Sequence, residues 1–592
     1  MFRPTDRQSS LLQSKFLLPA DKAARLERSW AHAFRINVMP LIDEETFRDA
    51  FCDDNGRPNK SILLLMGAHI LKHWNDLTDA QVIEQVEFNL QWQYALNITP
   101  DDAHLVQRTM HSFRKKLLES DRGRRMFEDI TRKLAAADGV ALGRQRIDST
   151  HVISNIAVLT RLTLFVETVT KFLRALRMEL PKRLDDVAAP VRRRYLEREG
   201  YFNDAKREQA KRRLPVVARD VHGLVELFGD DKVVSDLPSF VLLLRLFNEQ
   251  CELVDADDAD SDDSDASASD EATAPSSEPK IVVKLRESKT VSSGSLQSPH
   301  DPDATYGHKG KGYEVQISET CDDDNAYQLI TLVDVNGANE SDQTRLVPLI
   351  DQLKTSDLAP SELLADTGYG SGKNIIEAGE RGVALVAPVP DPKAPQRPDP
   401  FLHSGDKSPE QAPAIEASGQ LLTEEAEEVV EVADAVPLPP FDFAAFTFGA
   451  NYTTVLCCPA DHSPEQQRFD GKMLLATFTA EQCSDCPLAP HCPTRKFNDG
   501  RRQLHRASST LATECRQFEQ QTSSFKERYK KRGGVEATNS VLKGPHGLAD
   551  LRVRGKPRVG LAATMKALAL NTKRAAQYHV AQFSSNLEPC MA

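Results

Sequence analysis

No apolar run in this 592-residue chain approaches the roughly 20 residues a bilayer crossing needs, and the opening MFRPTDRQSS lacks the apolar stretch of a secretory signal. Membrane insertion and export are both disfavoured, so the expected location is cytoplasmic. Cysteine is also scarce. Ten in 592 residues are too few for a secreted disulfide scaffold, and five of them (Cys457, Cys458, Cys483, Cys486 and Cys492) crowd into one short region. That clustering points to metal rather than to disulfides. No internal repeat is present.

Lysine and arginine are missing from two long stretches. Asp255 to Glu278 holds ten acids and no basic residue, and Glu410 to Asp434 holds eight acids and again none. The net charge of -13 arises there; with these eighteen acids set aside, the remainder carries +5. Between Phe525 and Arg558 ten Lys/Arg outnumber three Asp/Glu, a local +7 that suits a phosphate backbone. At roughly 100 to 200 residues per domain, the length predicts about three or four units.

Local patterns give the order of elements. From Leu41 to Leu118 the periodicity is helical, with ILLLMGAHILKHW, a break at Asn75 to Leu77, and TDAQVIEQVEFNLQW capped by Thr78. Such a pair is either a DNA-reading helix-turn-helix or an ordinary helical hairpin. The basic helix from Arg108 to Leu118 either follows phosphates or is solvated. GVALGRQRIDSTHVI is followed by a long helical stretch reaching LPSFVLLLRLFNEQCEL, and the Ser/Asp run is too polar to bury. Order is expected again near Ile281. YEVQISE alternates as a half-buried strand, and LITLVDV is an apolar run typical of a central strand, so the two read as neighbours in one sheet. DQTRLVPLIDQLKT, SELLA, KNIIEAGERG and VALVAPV then alternate helix and strand, which predicts an α/β core with parallel members. A Pro- and acid-rich linker precedes the cysteine cluster, and an apolar helix, LAATMKALALNTKRAA, follows the basic segment.

Within that basic segment, YKKRGGVEATNSVLK sets Tyr529, Arg532, Glu536 and Lys543 at steps of three, four and seven, the spacing of one helical face. Gly533 and Gly534 interrupt it at roughly 1 kcal/mol each, so the helix either continues or starts only at Val535 after a close-approach turn. Three acids stand where structure would expose them: Asp148 in RIDSTH, Asp366 in LLADTGYGSGKN after a strand, and Glu536 opening a helix. Phosphodiester chemistry uses such a set to hold two divalent ions, Mg2+ or Mn2+, roughly 4 Å apart. Taken singly they are three ordinary acids among 87. Lys309 and Lys311, with His308, in YGHKGKGY either touch DNA or form a plain basic strand turn. Cys458, Cys483, Cys486 and Cys492 form a possible four-thiolate zinc set, in which Cys457 could replace Cys458 and His462 or His491 could enter; reduced cysteines with no ion are the alternative.

The stripe Tyr529, Arg532, Glu536 and Lys543 resembles the Tyr-Arg-Glu-Lys signature of bacterial insertion-sequence transposases of the DDE class. HDPDATYGHKGKGYEVQISETCDDDN, LLADTGYGS and RIDSTHV resemble their central blocks, and Leu41 to Leu118 is similar to their InsH-like N-terminal domain. The resemblance implies an RNase H-like fold with Asp148, Asp366 and Glu536 as catalytic and metal-holding triad. It further implies that Tyr529, Arg532 and Lys543 contact DNA phosphates near the cleaved end. The activity implied is hydrolysis at transposon ends, freeing a 3′ hydroxyl that attacks target DNA, with or without a hairpin stage. Double-stranded DNA (terminal inverted repeats and target) is the implied partner, with a homodimer pairing two ends. The expected architecture is an all-α InsH-like domain (1–125), an RNase H-like core begun with a helical insertion (126–250), an acidic loop (251–280), the core continued (281–387), a linker (388–440), a small Cys-rich insertion (441–500), a basic C-terminal part of the core with Glu536 (501–580) and a tail (581–592). Two rivals differ by product: a domesticated, inactive DNA-binding remnant would cut nothing, and an RNase H-type nuclease would cut without joining.

Overall fold

The computed structural model describes residues 1–6, 16, 18–52, 58–155, 160–197, 207–255, 281–390 and 442–585. The Ser/Asp run from 256 to 280, the linker from 391 to 440 and the last residues from 586 lie outside the described residues. Two units are present: Met1–Tyr369 with Glu380–Ala387 and Glu527–Ala592, and Gly370–Gly379 with Pro388–Lys526.

The first unit begins with helices. Ile62–Trp74 has almost no polar side and is buried from Ile62 through Leu71, as a helix apolar all round must be. Ser61 caps it, its Oγ accepting from the Leu64 N–H (3.1 Å). The chain turns through Asp76 at a φ of 47°, and Thr78 starts helix Asp79–Phe88 with a capping box: Thr78 Oγ1 accepts from the Gln81 N–H (3.3 Å) and Gln81 Oε1 from the Thr78 N–H (2.9 Å). Trp30–Asn37, Gln107–Leu118, Arg122–Asp138 and the long helix Lys556–Ser585 share one apolar core with this pair.

The sheet is built from β1 (Arg144–Val152), β4 (Thr305–Gly307), β5 (Gly310–Thr320), β6 (Ile330–Gly337), β7 (Glu362–Leu364) and β8 (Ala384–Val386); a separate hairpin pairs β2 (Cys251–Asp255) with β3 (Ile281–Leu285). In the sheet, β5 lies between β1 on one side and β6 and β4 on the other, and β7 and β8 continue beyond β1. β5 is antiparallel to both β1 and β6, whereas β1, β7 and β8 are parallel. Among the described residues β6 pairs only with β5, so the apolar run LITLVDV is an edge strand rather than a central one. Apolar content reported burial, not sheet position: helix Lys556–Ser585 covers β6, where Asn571 Oδ1 accepts from the Ile330 N–H (2.8 Å) and Asn571 Nδ2 donates to the Ile330 carbonyl (2.7 Å).

Between β1 and β4 an insertion of helices, chiefly Arg161–Glu179, Arg207–Phe228 and Pro238–Gln250, packs around its own core of Phe165, Phe172, Phe228 and Phe240. The helical reading of NEQCEL fails at Cys251, which turns extended and pairs with Leu285.

The second unit holds an antiparallel sheet ordered β11 (Gln466–Phe469), β12 (Met473–Phe478), β14 (Arg502–Ala507), β13 (Arg495–Lys496), a hairpin of β9 (Thr447–Phe448) and β10 (Val455–Cys457), and helix Ser508–Glu519. β14 pairs with β12 along its whole length, Phe478↔Arg502 to Met473↔Ala507. The residues from Arg501 to Lys526 fall in the second compact unit.

Candidate active site

Three separate segments of the first unit bring the acids together. Asp148 lies mid-strand in β1, opposite Ile317 of β5. Asp366 follows the end of β7, the strand parallel to β1, and Glu536 sits in the first turn of helix Gly534–Lys543. One guanidinium joins all three: Arg532 Nη2 lies 2.8 Å from Asp148 Oδ1 and 3.8 Å from Asp366 Oδ2, and Nη1 lies 3.1 Å from Glu536 Oε1. Asn539, one turn beyond Glu536, donates Nδ2–H to the second Asp148 oxygen (3.0 Å). The Gly368 N–H donates to Asp366 Oδ1 (2.8 Å). Exposure is graded: the Asp148 side chain is 13% exposed and that of Glu536 68%.

Burial pushes the Asp148 carboxyl above its usual range, Arg532 pulls it back, and Asp366 adds to the rise. Burial alone would lower the Arg532 guanidinium, but Asp148, Tyr529, Asp366 and Glu536 hold it above its ordinary value. The Tyr529 hydroxyl is pushed up, first by burial and then by Asp366, Asp148 and Glu536 against the opposing pull of Arg532. Tyr529 thus feels the same acids.

The two glycines resolve the helix question. Helix Ser523–Lys530 passes through a 3-10 turn, Lys531–Gly533, into helix Gly534–Lys543, and neither glycine leaves helical space (Gly533 φ -55°, Gly534 φ -65°). Gly534 is required by approach: a Cβ there would stand 1.9 Å from Arg146 Nη1. Arg146 is itself fixed, donating Nη1–H to the Lys531 carbonyl (2.8 Å) and Nε–H to Glu319 Oε1 (2.8 Å). Glu319 is fully buried, and its other oxygen accepts from Thr538 Oγ1 (2.7 Å) and Arg574 Nη1 (3.2 Å). This charged network anchors the Glu536 helix to β1, β5 and helix Lys556–Ser585.

A cleft of about 510 Å³ is lined by Asp148, Asp366 and Arg532 with Asp342, Lys309 and His308. Lys309 reaches it from the β4–β5 turn, 3.4 Å from Glu314 Oε1. Lys543, at the end of the Glu536 helix, is lowered by burial and then by Lys309. Lys311 points elsewhere and lines a separate cavity with Arg161, Gln250 and Tyr306. Asp342, which the sequence did not single out, accepts from Ser149 Oγ (3.0 Å) and Gln316 Nε2 (2.7 Å), and the Tyr369 hydroxyl bonds Gln316 in turn. Ser149 adjoins Asp148 in RIDSTH and Asn539 lies at helical spacing from Glu536, so both were within reach of pattern reading; Asp342 carried no such signal.

Two family models match the chain. One, described as Transposase DDE domain, matches residues 457–576, and another, Transposase domain (DUF772), matches residues 27–116. Over these two stretches the chain is similar to transposase domains, which indicates a DDE-type insertion-sequence transposase. No curated protein and no solved structure matches it. The first matched region takes in Glu536 and the whole stripe from Tyr529 to Lys543, and the second takes in the Thr78-capped helix pair. The clustered cysteines fall in the second unit, where Cys458, Cys483, Cys486, Cys492 and His462 line one cavity of about 30 Å³; Cys457 and His491 do not. Among the described residues no group of three or more His, Cys, Asp or Glu is set in metal-holding geometry. At the acids the reason is visible, because Arg532 stands between them. No described helix is long and apolar enough to cross a membrane.

Proposed function

We propose that this transposase cleaves DNA at the ends of its element in a divalent-metal-dependent reaction and joins the freed 3′ hydroxyl to target DNA. The observation that carries the reading is the convergence of Asp148, Asp366 and Glu536, from three distant segments, on one guanidinium. Their donor set is all carboxylate oxygen, which fits hard cations such as Mg2+ or Mn2+. Two such ions, held by these three residues, would clamp the attacking and leaving oxygens of the phosphodiester. The order β6-β5-β1-β7-β8, antiparallel then parallel, supports an RNase H-like core.

The protein's own groups do the rest. Arg532 opposes the rise that burial imposes on the Asp148 carboxyl, and its planar fork suits a bidentate grip on phosphate when it turns from the acids to DNA. Tyr529, Lys543 and Lys309 stand around the same acids and would hold the strand in register; Lys311 faces another cavity and is a weaker candidate. Pairing two inverted repeats calls for two copies of the chain, and the capped helix pair is the candidate reader of duplex DNA.

The test uses duplexes carrying the inverted repeats that flank the gene, with Mg2+ or Mn2+. The wild type should yield cut and joined DNA. Asp148→Asn, Asp366→Asn and Glu536→Gln should each abolish both products while leaving DNA binding largely intact. Wild-type turnover by any of the three overturns the assignment, and cutting without joining by the wild type would point to a nuclease.

A further inference from the structure

We propose that Cys458, Cys483, Cys486 and Cys492 bind a structural zinc ion that holds the second unit together. Three segments with no shared strand deliver the sulfurs. Cys458 follows β10 in a tight turn: its N–H donates to the His462 carbonyl (2.9 Å), the Asp461 N–H returns to the Cys458 carbonyl (2.9 Å), and Asp461 takes a φ of 59°. Cys483 and Cys486 flank the end of helix Ala480–Ser484, which Thr479 and Gln482 fix with a capping box. The same Gln482 donates Nε2–H to the Ser463 carbonyl (2.9 Å) and so ties this helix to the Cys458 turn. Cys492 ends the 3-10 turn Ala489–His491, and Arg502 of β14 holds that turn through the carbonyls of Ala489 (2.5 Å) and Thr494 (3.2 Å).

The cavity these four cysteines share, about 30 Å³, is the space of one small ion rather than of a substrate. All four are free thiols. Among the described residues the sulfurs do not stand at metal-holding geometry, and tetrahedral Zn–S bonds of about 2.3 Å would require the two turns and the helix end to draw in around the cavity. Among the described residues the unit's apolar core is eight side chains and its strands run from two to six residues, a small core that a metal would reinforce.

The experiment is metal analysis of the full chain purified under reducing conditions, followed by titration of the chelated protein with Co2+ alone. One zinc per chain and an intense thiolate-to-cobalt charge-transfer band with tetrahedral visible bands are expected. Cys486→Ser should lower that band by one thiolate's share, and Cys458→Ser likewise, whereas Cys457→Ser and Cys515→Ser should leave it unchanged. Absence of both zinc and the cobalt band overturns the proposal, as does loss of thiols to disulfides in the reduced chain or a Cys457→Ser effect equal to that of Cys458→Ser. DNA cleavage does not enter the readout, so the outcome is independent of the reading of the acids.

Discussion

Arg532 is surrounded by more negative charge than any of its hydrogen bonds requires, and its Nε is buried without a hydrogen-bond partner. A guanidinium so placed can exchange carboxylates for a phosphate at little cost in Coulomb energy. Arg532→Ala is therefore expected to weaken binding to the element's ends and to reduce the slope of log affinity against log salt by about one; a titration across salt concentrations with an unchanged slope would count against a phosphate contact. A second residue sets an acid limit on stability. Burial depresses His69 from 6.5 to about 4, its Nδ1 facing the Leu65 carbonyl at 2.8 Å, and His73 is shifted the same way. Above pH 6.5 neither the folded nor the unfolded chain carries the His69 proton, so stability is flat there. Below it the unfolded chain takes a proton that the buried ring refuses, and stability falls until about pH 4, by on the order of 3 kcal/mol for His69. Denaturant midpoints across this window should drop less steeply in His69→Gln than in the wild type.

Elements are held to one another by pairs that no local pattern announces. Glu319 of β5 answers Arg146 of β1 and Arg574 of the long helix, all three largely buried. Glu319→Gln leaves two arginines without their counter-charge, and a loss of about 3 kcal/mol is expected, read as a lower denaturant midpoint; an unchanged midpoint would mean the network contributes nothing net. The elements themselves were legible where period and caps decide them: helix Asp342–Thr355, the Thr78 cap and the neighbouring strands β5 and β6 all follow from sequence. What escaped depends on distant partners. The edge position of β6 is set by a helix more than two hundred residues away, and the place of Arg502 to Ala507 is set by the β12–β14 register. In the candidate site, Asp148, Asp366 and Glu536 were visible from context, but Asp342 and the bridging geometry of Arg532 were not, because both exist only once four segments meet.

For the whole molecule, charge is the property most easily altered. Excising 256–278 and 410–434 removes seventeen acids and no Lys or Arg, moving the net charge from -13 to +4. Non-sequence-specific DNA binding should then tighten at low salt and converge with that of the parent chain as salt rises, measured by titration of unrelated duplex. Equal affinities at low salt would show that the acidic runs do not compete with DNA. The long separation between Asp148 and its partner Arg532 carries a further implication for how the protein comes into being. The strand bearing the first acid is made early, but its electrostatic partner and the helix bearing Glu536 leave the ribosome only after nearly all of the chain has been synthesised. A nascent chain can form its N-terminal helices while the three acids and Arg532 are still apart, so the candidate site is assembled only late in translation.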